Sequence, residues 1–250
     1  MVGDTPGAAP IQPGTLFEVG SNTKSFTAAV ILQLAAENRL GLDDRLDRWL
    51  PQYPAWGEVT LRRLLHMTNP IADYAGTPAV LRTVVAAPRR RWSEPELVAA
   101  VYPRPDNRLP VESGFYYSNT NYILAGMIAE KAGGATYPDL VRDRLLEPLG
   151  LHETFLLDGL PPPALTAGMA SGDVADGECQ EFEPPDCKTG IVAPLAGRDI
   201  RDADLSWAGA AGATVASPRD LARRFRALHG GRVPAPAQFA EMEHMVPCCA

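Results

Sequence analysis

Phe17-Glu18-Val19-Gly20-Ser21-Asn22-Thr23-Lys24-Ser25-Phe26-Thr27-Ala28-Ala29 is the stretch whose reading decides the fold. A short apolar entry (Leu16, Phe17, Val19) reaches a glycine, a polar start signal follows, and an apolar-rich run continues through Leu34, Ala35 and Ala36. The pattern predicts a helix that opens at Ser21 and continues to about Asn38, with Lys24 three residues behind the serine. Positions three apart share one helix face, so hydroxyl and ammonium can meet. A serine hydroxyl is a weak nucleophile at neutral pH until a base takes its proton. A lysine can be that base if burial or a positive neighbour lowers its pKa. The helix N-terminus adds a positive field and unpaired backbone N–H groups where negative charge would develop. Serines also cap helices and lysines also decorate first turns, so the spacing alone leaves both readings open. A P-loop is excluded: Thr23 stands where the glycine before the lysine belongs, and Glu18 would repel phosphate.

Outward from this stretch, the composition is that of an ordinary globular protein, with 46% hydrophobic and 21% charged residues in 250. A net charge of -7 and the lack of a basic stripe argue against a nucleic-acid partner. Arginines cluster at Arg89-Arg90-Arg91 and at Arg223, Arg224 and Arg226; solvated faces explain both better than phosphate contacts. No apolar run approaches the ~18 residues needed to span a bilayer. Met1-Val2-Gly3-Asp4 has neither the basic nor the apolar region of a signal peptide, and the compartment is left open. Four cysteines are too few for a disulfide framework; Cys179 and Cys187 share one loop and could be bridged under oxidising conditions, whereas Cys248-Cys249 lie at the end. The histidines, His66, His152, His229 and His244, lack metal-ligand spacing and read as surface or packing residues. Neither a metal nor a cofactor is implied.

Along the chain, helix dominates and convincing strands are scarce. Leu40 to Leu50 suggest a short helix stopped by Pro51. Thr60 caps a compact helix ended by Asn69-Pro70, and Ser93-Glu94-Pro95-Glu96 is a capping box. Ile123 to Lys131 reads as a buried helix stopped by Gly133-Gly134, and Thr136 caps the next one, to about Leu146. Residues 158–206 are rich in prolines, glycines and acids and read as a long irregular segment. Ser217-Pro218-Arg219-Asp220 starts a helix whose apolar face is Leu221, Phe225 and Leu228, and a last short helix spans about Ala237 to Met245. No repeat is visible.

Tyr117-Ser118-Asn119 is the second stretch with chemistry. A tyrosine whose pKa is lowered by a nearby ammonium can shuttle protons, and an asparagine two residues on can orient a substrate amide. Aromatic packing at a helix start, with Asn119 as a plain N-cap, is the competing reading. Together the stretches resemble the serine β-lactamase and penicillin-binding-protein superfamily. Ser21-x-x-Lys24 resembles its first motif. Tyr117-Ser-Asn119, followed by Thr-Asn-Tyr-Ile-Leu-Ala-Gly-Met-Ile, resembles the second motif of the branch with class C β-lactamases, D-alanyl-D-alanine carboxypeptidases, D-aminopeptidases and esterases. Leu61-Arg-Arg-Leu-Leu-His66-Met-Thr68 resembles the branch's Leu-Leu-x-His segment, with Asn69-Pro70 replacing Ser-Gly. Ala208-Gly209-Ala-Ala-Gly212 to Asp220-Leu221 resembles its Ala-Gly-Gly segment. The resemblance runs from about residue 12 to 245.

The resemblance implies an α/β fold of the β-lactamase/transpeptidase type, formed as one partial domain across residues 1–250, mostly the helical subdomain, with the central antiparallel sheet incomplete. It implies Ser21 as nucleophile, Lys24 as its activating partner, Tyr117 as proton shuttle, Asn119 as holder of the substrate amide and Trp207 as a pocket wall. The reaction would be acyl transfer through a serine ester to water, on a small-molecule or peptide substrate: a β-lactam, a D-Ala peptide or a small ester. The family's third motif, Lys/His-x-Gly on an edge strand, normally follows the Ala-Gly-Gly segment. Lys188-Thr189-Gly190 precedes that segment and is not assigned the role. The expectation is therefore an enzyme impaired for want of a second oxyanion donor, a loss of about 10²–10³ in turnover. The alternative is a non-catalytic binding module, or a fragment completed by self-association or a partner chain covering the incomplete sheet and the helix face it leaves exposed.

Overall fold

The computed structural model describes residues 10–103, 114–163, 165, 201 and 203–244. Helix α1 (Thr23–Ala36) is the axis of the molecule. Apart from Lys24 and Gln33 its sequence is apolar or small, and the fold buries it on nearly every side, from Thr23 and Phe26 to Leu34. Helix α6 (Asn119–Gly133) has the same character and packs along α1. Around this pair lie α2 (Leu46–Trp49), α3 (Leu61–Leu65), α4 (Pro78–Ala86), α5 (Glu94–Ala99) and α7 (Tyr137–Val141). A π-helical turn over Arg142–Leu146 carries α7 into α8 (Glu147–Leu149), past the expected end at Leu146, and Gly150 closes it in the left-handed region. One principal core runs from Phe26, Leu34 and Leu46 through Leu64, Tyr74 and Leu97 to Ile123 and Ala211.

Strands are scarce and short, as expected, and those among the described residues form one small sheet. β1 (Phe17–Glu18), β2 (Thr154–Leu156) and β3 (Thr214–Ala216) form an antiparallel sheet in the order β1-β3-β2. Phe17 faces Ala216 in the register, and Phe155 faces Val215. All three residues of β3 are buried, so no apolar–polar alternation marks it in the sequence. The sheet has a positional role: β3 pins β1, and β1 runs directly into the turn that bears Ser21. Val19 N–H donates to the Thr214 carbonyl at 3.0 Å, extending the ladder to the edge of that turn.

The start signals hold where a side chain does the capping. Thr60, Thr136 and Ser217 each accept from the backbone N–H three residues on, and Ser93 with Glu96 forms the capping box. α4 was not expected; Thr77 followed by Pro78 at the first helical position is its start signal. The chain then passes through α9 (Gly209–Gly212), α10 (Pro218–His229) and α11 (Pro236–Met242). On α10 the expected apolar face is rotated. Phe225 is 43% exposed and stacks with His229, while Arg224, expected on a solvated face, is 2% exposed. Its guanidinium donates to the Ser25 carbonyl at 3.1 Å and lies 5.0 Å above the Phe26 ring. The helix docks through Asp220, Arg224, Ala227 and Leu228, a face with two charged members that hydrophobic periodicity misreads.

Cys179, Cys187, Cys248, Cys249, Lys188-Thr189-Gly190 and most of 158–206 lie outside the described residues. At the described end of that segment, Asp204 caps a 3-10 turn over Leu205–Trp207 by accepting from Ser206 N–H at 2.9 Å. No helix among the described residues is long and apolar enough to cross a membrane.

Candidate active site

Ser21 sits in a single 3-10 turn, Gly20–Asn22, between β1 and α1. Gly20 has φ +49°, the left-handed region that glycine enters without cost from a Cβ, and this reverses the chain so that Ser21 leads into the helix. Thr23 ties the turn together: its hydroxyl donates to the Gly20 carbonyl at 2.7 Å and accepts from Thr214 N–H at 3.1 Å. Lys24 is one turn on, 8% exposed, and its Nζ is 2.9 Å from Ser21 Oγ.

The other side of the site comes from the start of α6 and the segment before α4. Tyr116 N–H donates to the Met67 carbonyl at 2.9 Å, which anchors the strip leading to Tyr117. Tyr117 OH lies 2.5 Å from Ser21 Oγ. Asn119 is the first residue of α6, and Ser118, not Asn119, is the N-cap. Asn119 Oδ1 accepts from Lys24 Nζ at 2.8 Å. A third partner of the amine is the Ala211 main-chain carbonyl in α9, at 2.8 Å.

The structure thus brings Ser21, Lys24, Tyr117 and Asn119 into one hydrogen-bonded network. Trp207 stands apart from it: its side chain is partly buried against the principal core and against a smaller apolar cluster that includes Leu16, Leu205 and Val215, and its carbonyl accepts from Tyr74 OH at 2.6 Å. Two members were missed by sequence reasoning. Ala211 acts through its main chain and leaves no side-chain signal. Asp73 receives Asn119 Nδ2 at 3.1 Å and Asn119 N–H at 3.0 Å, and in the sequence it is one loop acid among many. His66 and His244 stack on each other beside Arg62, which also pairs with Asp43 at 2.9 Å and with Glu241.

Electrostatics follow from burial. Lys24 is lowered to about 8, because desolvation of the ammonium outweighs the opposing charge of Asp73. Roughly a tenth of the side chain is then neutral at pH 7, against a few parts in ten thousand for an unperturbed lysine. The Tyr117 phenol moves the other way: burial and the Asp73 charge raise it, and the Ser21 hydrogen bond only partly opposes them. This corrects the expected lowering by the neighbouring ammonium. The Lys24 nitrogen is 4.8 Å over the face of the Tyr117 ring, yet desolvation dominates, so the phenol is protonated at neutral pH.

Chemically, the arrangement has a direction. A neutral lysine amine has two hydrogens and one lone pair. Asn119 Oδ1 and the Ala211 carbonyl are acceptors only, so the two hydrogens go to them and the lone pair faces Ser21 Oγ. The network therefore suits removal of the serine proton, with an acid of high pKa on the far side of the same oxygen.

Residues 1–246 match the family described as Beta-lactamase, and the chain belongs to that family. Its fold is that of the β-lactamase/transpeptidase-like α/β proteins, represented here by a mostly helical body and the small sheet. The chain is 32% identical over 186 residues to penicillin-binding protein 4* of Bacillus subtilis, covering 71% of this chain and 38% of that protein. A D-stereospecific amidohydrolase from Streptomyces superposes with a TM-score of 0.79 at 31% identity, covering 94% of this chain and 67% of the other. The D-amino acid amidase of Ochrobactrum anthropi, in complex with D-phenylalanine, gives 0.74 at 27% identity over 95% of this chain and 63% of its own. The chain thus spans well under half the length of the curated relative it matches. These likenesses support hydrolase-type chemistry in general.

Proposed function

We propose that this chain is a serine hydrolase that acts on amides or esters through an acyl-enzyme, with Ser21 as nucleophile, Lys24 as base, Tyr117 as proton donor and Asn119 as the residue that orients the substrate amide. The observation that carries the reading is Lys24 Nζ held 2.9 Å from Ser21 Oγ by two acceptor-only partners, an arrangement in which the neutral amine turns its lone pair to the serine.

In acylation, Ser21 Oγ bonds to the carbonyl carbon and its proton passes to Lys24. The negative charge on the carbonyl oxygen develops at the N-terminal turn of α1, where the helix field favours it. As the scissile bond breaks, the Tyr117 phenol gives its proton to the leaving nitrogen or oxygen. The phenolate so formed is tolerated transiently because an ammonium now lies over its ring. In deacylation the phenolate takes a proton from the attacking water, and Lys24 returns its proton to Ser21 as the ester collapses. Asn119 Nδ2 keeps one hydrogen free of Asp73 for the substrate carbonyl. Trp207 is proposed as a more distant wall of the pocket.

The relatives' names favour a D-configured amide, such as that of a D-amino acid, or a penicillin. The test is intact-protein mass spectrometry after exposure to a fluorescent penicillin and to p-nitrophenyl esters. The expected result is an adduct on Ser21 that is absent in Ser21→Ala. No adduct and no turnover at high protein concentration would overturn the reading, and equal ligand binding by wild type and Ser21→Ala without turnover would indicate a binding module.

A further inference from the structure

Asp73 lies in the segment between α3 and α4, which is clipped to the start of α6 by three hydrogen bonds. Thr120 Oγ1 donates to the Ala72 carbonyl at 2.6 Å, Ser118 Oγ donates to the same carbonyl at 3.2 Å, and Tyr74 N–H donates to Thr120 Oγ1 at 3.0 Å. The carboxylate is thereby held against Asn119 with little freedom. Its Oδ1 accepts from Asn119 N–H at 3.0 Å and Ala75 N–H at 3.2 Å, and its Oδ2 accepts from Asn119 Nδ2 at 3.1 Å.

An ionised carboxylate only accepts, whereas the two ends of an asparagine amide are nearly equal in shape and opposite in character. The end of Asn119 that faces Asp73 must then be the NH2, and the oxygen is turned toward Lys24. The reversed amide would set oxygen against carboxylate and NH2 against the amine. We propose that Asp73 is a positioning residue of the Ser21–Lys24 pair: its carboxylate latches the Asn119 amide so that an acceptor faces the lysine and the lysine lone pair is left for Ser21. The proposal rests on the reading of Lys24 as the base.

Asp73 makes no hydrogen bond to Lys24 and acts through Asn119 and through its charge. Burial raises the Asp73 carboxyl, opposed by its hydrogen bonds from Ala75 and Asn119 and by the charge of Lys24. In return its charge raises Lys24 against the lowering by burial. The other groups facing the amine are Ser21 on its own turn, the Tyr117 and Tyr122 rings at 4.8 and 5.6 Å, and the Ala211 carbonyl. On the other flank, a cavity that Lys24 helps to line is bordered by Arg62 and His66 of α3 and its C-cap and by Glu241 of α11.

Asp73→Asn is the decisive variant. It removes the charge, and its new NH2 is satisfied only if Asn119 turns its oxygen toward it, which sets a donor against Lys24. Both effects disfavour the ammonium. The lysine 13Cε resonances, with Lys24 assigned through Lys24→Arg, give the titration without any need for activity. The expected result is a Lys24 midpoint at least about half a pH unit below wild type. The rising limb of the Ser21 acylation profile should move down with it, and the plateau rate should fall about 10- to 100-fold. Thr77→Val, which removes the hydroxyl bond to the Tyr74 carbonyl, loosens the same segment but keeps the carboxylate, and should leave the Lys24 midpoint unmoved.

An unmoved midpoint in Asp73→Asn, with a uniform loss like that of Thr77→Val, would overturn the proposal. If Asp73→Asn does not fold, Asp73→Ser removes the same charge and unlatches the amide without forcing it to turn, so the midpoint should again fall, by less. If wild type shows no Ser21 adduct while the Lys24 midpoint falls further in Asp73→Asn than in Asp73→Ser, the latch stands and the hydrolase reading fails.

Discussion

At Ser21 the proposed chemistry predicts a pH profile. The active form needs neutral Lys24, whose folded pKa is about 8, so the acylation rate should rise about tenfold per pH unit below that value and level off above it. Stopped-flow acylation by a p-nitrophenyl ester measures it, and a flat profile from pH 6 to 9 would exclude Lys24 as the base. Tyr117→Phe keeps the ring under the ammonium and removes only the donor, so it should lower turnover by about 10²–10⁴ while substrate binding changes little. The Ser21–Lys24 relation was legible in the sequence because it is local, three residues along one helix face. Tyr117 and Asn119 were legible only through the order of motifs. Asp73 and the Ala211 carbonyl were not, because a loop carboxylate and a main-chain oxygen acquire meaning only when folding brings them to residues 46 and 187 positions away.

The element scale is set by how closely α6 and α9 approach. A Cβ built on Gly126 would lie 2.6 Å from Ala210 Cβ, a distance real atoms do not hold, so Gly126→Ala must push the two helices apart. The neighbouring residue, Ala211, supplies the carbonyl that fixes Lys24. The expected outcome is a loss of about 1–3 kcal/mol in denaturant stability and a disproportionate loss of Ser21 acylation. Helix α10 gives the complementary case. Arg224 has one hydrogen bond, and its Nε and Nη1 have no partner among the described residues, so its role is mostly that of buried bulk over Phe26. Arg224→Met should match or exceed wild-type stability, whereas Arg224→Ala should lose about 2 kcal/mol or more in the same chemical denaturation assay. Caps such as Thr60 and Ser217 were readable because their chemistry is short-range. The face of α10 was not, because a buried arginine reads as solvent-facing under any hydrophobicity pattern.

On the scale of the whole molecule, a buried lysine couples stability to pH. Lys24 is about 8 in the folded state and near 10.5 when solvated, so between these values the unfolded chain binds more protons than the folded one. Stability from this group therefore rises as pH climbs from 8 to 10.5, by about 3 kcal/mol at most. Urea midpoints across that window should climb in wild type relative to Lys24→Met, and parallel slopes would contradict the lowered value. The helical architecture was legible from apolar runs that are buried all round, as in α1 and α6. The sheet was legible only through the family resemblance, not through any pattern: strands of two or three residues carry no period, and all of β3 is buried.

Lys24 takes its partners from points 3, 95 and 187 positions along the chain, so no contiguous piece of the polypeptide holds the whole constellation. On the proposed chemistry, a nascent or half-unfolded molecule therefore carries an ordinary, inert alcohol. Covalent capture by an ester probe becomes a gauge of maturation: it should switch on only after Ala211 has left the ribosome and docked, and switch off at the first step of denaturation that detaches α9.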